Sequence, residues 1–143
     1  MKLLQRVVRP GGRIAVAAWR PDSNPVALRK VVGAFMPPPP KPASPPQSPF
    51  NWGDPAWLSS TLGGAFALGH ETGDATHRMQ SAEDAWTIYE TGFGPVRAVS
   101  KMLDEAKRQE LRAAFEAWAD NFRTDLGIAM NCQYLVTVGT KKK

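Results

Sequence analysis

At 143 residues the chain has the length of one domain, long enough to bury a core of its own. It is 43% hydrophobic and 22% charged, ordinary for a soluble globular protein, and no run approaches the about 18 apolar residues of a membrane span. The formal charge of +5 raises a nucleic-acid partner, but the Lys and Arg residues are spread along the chain and three form the terminal run Lys141, Lys142 and Lys143, not an aromatic-interleaved stripe.

Leu3, Leu4, Val7 and Val8 recur at helical spacing, and Pro10-Gly11-Gly12 stops that helix. Met1 to Val8 carries basic residues without a long apolar core or a cleavage pattern, so no signal peptide is read and a cytoplasmic protein is expected. Arg13 to Trp19 is a short, nearly continuous apolar run that suits a strand covered on both faces, as in a parallel sheet. A helix is expected from about Pro25 to Phe35. Eight of the fourteen residues from Met36 to Pro49 are proline, which predicts an extended polyproline-type connector.

Asp54 followed by Pro55 opens a helix through Trp57, Leu58 and Leu62 that stops at Gly63-Gly64. Ala65 to Glu71 reads as a short strand. Ser81 with Asp84 resembles a capping box for a helix through Trp86 and Tyr89; Gly94-Pro95 breaks it and starts another through Met102. Asp104 caps a long helix whose Leu111, Phe115, Trp118 and Phe122 form one apolar stripe, expected to lie on the sheet. The segment Cys132 to Gly139 alternates as a strand does. Its single cysteine excludes an internal disulfide and a multi-cysteine metal site, and apolar neighbours mark an inert buried thiol. His70 and His77 fall at or beyond the end of the 65–71 strand, as solvated histidines do, and no spacing of His, Asp or Glu resembles a metal site.

The opening Leu4-Gln5-Arg6-Val7-Val8-Arg9-Pro10-Gly11-Gly12-Arg13-Ile14-Ala15-Val16 resembles a late motif of class I S-adenosylmethionine-dependent methyltransferases. There a helix ends in a Pro-Gly-Gly turn and leads into the fifth strand. Trp52-Gly53-Asp54-Pro55, Ser81 to Trp86 and Gly92-Phe93-Gly94-Pro95-Val96-Arg97 are similar to a bacterial subgroup of the ubiquinone/menaquinone-biosynthesis type (methyltransferase type 11-like). The resemblance covers nearly the whole chain.

It implies an α/β, Rossmann-like fold of which residues 1–143 are the C-terminal half, with 36–49 a connector inside it. A three-stranded mixed sheet in the order 5-7-6 is expected, made of Arg13–Trp19, Cys132–Gly139 and Ala65–Glu71. The glycine-rich cofactor loop after strand one has no counterpart in this sequence, so no cofactor-binding or catalytic residue is assigned. S-adenosylmethionine is the cofactor of the complete family enzyme and is not expected to bind this chain alone.

The resemblance also implies a cap over a small-molecule acceptor. Trp19 and Arg20, at the carboxyl end of the first strand, are its candidates together with Phe50, Trp52, Tyr89 and Phe93 as aromatic walls; Trp86 is read as a packing residue. Three functions follow. One is a methyltransferase portion, inactive alone. Another is an assembly module that pairs with a separate cofactor half, or with itself through the edge of 13–19. The third and least favoured is a nucleic-acid binder.

Overall fold

Pro10 and Gly11 reverse the chain between the first helix, α1 (Lys2–Val7), and the first strand, β1 (Arg13–Trp19). The Gly12 amide donates to the Arg9 carbonyl at 2.8 Å and Gly11 has φ 76°, a type II turn with proline and glycine where it needs them. The Gly11 amide then donates to the Lys141 carbonyl at 2.9 Å, and the Lys141 amide to the Gly12 carbonyl at 2.8 Å. Two residues facing one make a bulge, so the Pro-Gly-Gly motif is a turn and a bulge that together start β1.

The computed structural model describes residues 2–37 and 47–143. After β1 come α2 (Asn24–Gly33), a 3-10 turn (Pro49–Gly53), α3 (Pro55–Leu62) and β2 (Phe66–Met79). Then follow α4 (Ala82–Gly92), α5 (Gly94–Met102), α6 (Glu105–Ala119), a 3-10 turn (Asp120–Phe122), β3 (Arg123–Thr124) and β4 (Gly127–Lys141). Most of the proline-rich connector expected over 36–49 lies outside the described residues.

The sheet runs β1-β4-β2, with β3 pairing β4 off that path. β1 lies against β4 from Arg13 opposite Thr140 to Trp19 opposite Tyr134. The expected three-stranded mixed sheet is corrected on two points: among the described residues it has four strands, and it is antiparallel. β1 is also not covered on both faces, because exposed and half-buried residues alternate along it. Its exposed positions include Ala15 and Ala17, too small and apolar to mark a solvent face in the sequence.

Both other long strands exceed their expected bounds. β2 continues past Glu71 to Met79, and both histidines lie within it, not beyond its end. β4 begins at Gly127, with Ile128, Met130 and Cys132 buried, then Leu135, Thr137 and Gly139. β3 and β4 form a hairpin closed by Asp125 and Leu126, Thr124 facing Gly127. The Thr124 hydroxyl donates to the Gly127 carbonyl at 2.9 Å and accepts from the Leu126 amide at 3.2 Å.

Contacts along the chain divide it into two compact units: Met1–Ser23, Ser44–Ala75 and Gln133–Lys143 form one, Asn24–Ala43 and Thr76–Cys132 the other. In the first, Leu58, Leu62, Phe66 and Leu135 make a core onto which Ile14, Trp52, Trp57 and Leu68 pack. Asp54 starts α3 by accepting from the Ala56 and Trp57 amides. The terminal lysines serve this unit: Lys141 Nζ donates to the Gln5 carbonyl at 3.0 Å, and Lys142 Nζ to the Gly63 carbonyl at 2.6 Å. Both cations sit on the carbonyl ends of helices, where the helix dipole favours positive charge.

The second unit is helical apart from its stretches of β2, β3 and β4. Here α6 packs against α2 and α4, and α4 against α5. Ser81 Oγ accepts from the Asp84 amide at 3.1 Å, while the Asp84 carboxylate accepts from the Gln80 amide at 3.0 Å, closing the expected capping box one residue early. Asp104 caps α6 through the Lys107 amide at 2.8 Å. The buried stripe of α6 is Leu111, Phe115 and Ala119, with Trp118 and Phe122 only half-buried. A step of four residues past Phe115 thus reaches alanine, not the tryptophan that hydrophobicity favoured.

Candidate functional site

Beyond Trp19 the ladder holds for one more residue: the Arg20 amide donates to the Gln133 carbonyl at 3.1 Å. A turn follows, in which both the amide (3.0 Å) and the hydroxyl (2.7 Å) of Ser23 donate to the Arg20 carbonyl. This fixes the Arg20 backbone at the carboxyl end of β1. There, within the first unit, Arg20, Thr72, Gly73, Asp74 and Gln133 line a cleft of about 290 Å³.

Arg20 Nε and Nη2 donate to the two Asp22 carboxylate oxygens at 3.1 and 3.2 Å. Those hydrogen bonds raise the Arg20 pKa and lower that of Asp22, with Coulomb attraction acting in the same direction. The fork uses two of the guanidinium's about five donors. Beside the cleft the Tyr134 ring lies across Gly73, where an added Cβ would fall 2.4 Å from the ring. Trp19 meets Tyr134 edge-on, centroids 6.4 Å apart. The cleft therefore offers a guanidinium, a carboxylate, a carboxamide and a hydroxyl. Such a set binds and orients a polar ligand. Its lining residues include no nucleophile paired with a base.

Of the residues singled out in the sequence, only Arg20 lines the cleft. Trp19 is the neighbouring residue at the end of β1. Phe50 and Trp52 sit on the 3-10 turn that packs against β1, and Gly53 lies so close to the Trp19 carbonyl that a Cβ would come within 2.0 Å of it. Trp52 meets Trp57 edge-on at 5.8 Å and belongs to the packing of the first core.

Tyr89 and Phe93 belong to the second unit, their rings 5.3 Å apart. Tyr89 is buried and its hydroxyl is 2.9 Å from His77 Nδ1; burial pushes the phenol pKa up. Trp86 is also buried and packs on Phe115 at 5.6 Å, as a packing residue does. His70 Nδ1 lies 2.9 Å from the Thr137 hydroxyl. Among the described residues no group of three His, Cys, Asp or Glu could hold a metal ion, and no helix is long and apolar enough to cross a membrane.

Thr72, Gly73, Asp74 and Gln133 were not foreseen. The first three fall in the part of β2 that the sequence gives no pattern for. Gln133 left a usable signal, as the one strongly polar side chain between Cys132 and Val136.

Cys132 is fully buried, and burial pushes its thiol up to about 11 from 9.0. At pH 8 its thiolate fraction should fall about a hundredfold below that of an exposed thiol, before burial blocks the reagent as well. Reaction with a disulfide reagent should be at least that much slower in native protein than in urea; equal rates would show that Cys132 is not enclosed.

No protein-family model and no curated protein matches this sequence.

Proposed function

We propose that this chain is the acceptor-side portion of a class I S-adenosylmethionine-dependent methyltransferase domain, inactive alone. The cofactor-binding strands would come from residues outside it. The observation that carries the proposal is the polar cleft at the carboxyl end of β1, where open α/β sheets take their ligands. The Pro-Gly-Gly turn into β1 and the placing of β4 between β1 and β2 support it.

In this reading Arg20 and Asp74 hold a polar small-molecule acceptor by charge and hydrogen bonding, with Thr72 and Gln133 as further polar contacts. Methyl transfer to a good nucleophile needs mainly alignment of donor and acceptor, which a cleft without a general base can supply. S-adenosylmethionine supplies the methyl group when bound to the complete domain.

The test is calorimetric. The isolated chain should show no binding of S-adenosylmethionine at about 100 μM, because most of a ligand that size must be enclosed to bind well. Joining the first four strands of a methyltransferase of the resembled type ahead of Met1 should restore binding. Micromolar binding by the chain alone, or a folded chimera that binds nothing, would count against the proposal.

A second reading, an assembly module without catalysis, is favoured by the open edge of β1.

A further inference from the structure

The register of β1 on β4 fixes which way each of its backbone groups points. Arg20 and Gly12 bond to β4 from opposite ends of the strand, and in an antiparallel ladder the bonded positions recur at every second residue. Ile14, Val16 and Ala18 therefore also face β4. The amides and carbonyls of Arg13, Ala15, Ala17 and Trp19 face the other way. β1 ends the order β1-β4-β2, so this is an outer edge of the sheet.

The edge is not uniform. At Trp19 the 3-10 turn closes it, with Gly53 against the carbonyl. At Arg13, Ala15 and Ala17 no partner is found among the described residues, and all three residues are exposed. Neither proline nor inward-pointing charge guards the stretch, which leaves it a template for another strand.

We propose that two copies of this chain pair through this edge, β1 against β1 in antiparallel register about a twofold axis at Ala15. The 3-10 turn selects that register. Centring on Ala15 sets Arg13 opposite the partner's Ala17 and uses only the open positions. Centring on Val16 would demand Trp19, which is covered. The chosen register exchanges about six backbone hydrogen bonds. It also places alanine against alanine at the axis and keeps the two Arg13 side chains at opposite ends. A strand from a separate cofactor-binding polypeptide would need the same edge, so the two occupants exclude each other. The strands that the methyltransferase reading places outside this chain would also take this edge, so the dimer is a property of the chain without them.

Sedimentation equilibrium of the full chain should show its mass doubling between about 1 and 100 μM. Ala15→Pro removes an outward amide without touching the β4 ladder, so it should stay monomeric with an unchanged circular dichroism spectrum. Ala15→Cys places two thiols across the axis with Cα atoms about 5.5 Å apart, inside the disulfide range. It should form a covalent dimer when oxidised glutathione accepts the two electrons. Ala17→Cys puts the two thiols roughly 14 Å apart, four residues out of register, and should not cross-link. A wild-type chain monomeric throughout, or an Ala15→Pro variant that still dimerises, overturns the pairing. Cross-linking at position 17 in preference to 15 overturns the register.

Discussion

Replacing Phe115 with alanine should destabilise the protein by about 3–5 kcal/mol, the range for emptying a fully enclosed aromatic site. Phe115 is 0% exposed and sits in the last third of α6. Its ring meets Trp86 at 5.6 Å, Tyr89 at 5.3 Å and Trp118 at 5.7 Å. Rings that contact it from two helices cannot all move inward to fill the gap. Trp118, half-buried one turn on, retains water on part of its ring and should cost less, roughly 2 kcal/mol on truncation. Urea unfolding of both variants gives the comparison. A Phe115→Ala loss under about 1 kcal/mol, the usual size of a surface change, would place the centre of this unit elsewhere.

Gly53→Ala should be nearly as damaging although it adds one methyl group. That methyl would lie 2.0 Å from the Trp19 carbonyl oxygen, 2.6 Å from its carbon and 2.9 Å from the Arg20 Cα. All three are backbone atoms of the segment that β4 already holds in register, so no side chain can rotate aside. Either the 3-10 turn lifts from β1 or the end of β1 shifts. Overpacking of this kind costs about 1–3 kcal/mol and more where backbone is involved; about 3 kcal/mol corresponds to roughly 10 °C in Tm for a chain of this size. A melting curve within about 2 °C of wild type would mean that the turn does not seat there. Lifting the turn would also uncover the edge at Trp19, so this variant should associate more strongly than wild type.

The helices were legible because their ends are written in side chains. Asp54-Pro55, Ser81 with Asp84, and Asp104 each announce a first turn, and each makes the backbone hydrogen bonds its type allows. The strands were legible only where one face is buried beside large residues. Tyr134 to Val138 gave the second part of β4, but β2 from Thr72 to Arg78 has no continuous buried face, and its composition resembles a loop. The β3–β4 hairpin escaped because β3 is only Arg123 and Thr124, too short to show alternation, although Gly127 at φ 108° carries the glycine of its turn. The cleft was missed for another reason. It depends on three residues of β2 whose alignment with Arg20 and Gln133 is set by pairing across the sheet, not by spacing along the chain.

β1 near the start of the chain takes as its partner a strand near the end, with Arg13 opposite Thr140. High contact order of this kind slows folding, because a long loop must close before its contacts repay the entropy. During synthesis β1 emerges with its partner strand still unmade, while the helices from α4 to α6 can already pack on one another. The first unit closes only when Gln133 to Lys141 arrive, and Lys141 and Lys142 then fasten the last residues to α1 and α3. Until that moment the edge of β1 that β4 will cover has no partner, and its backbone groups are open to other surfaces.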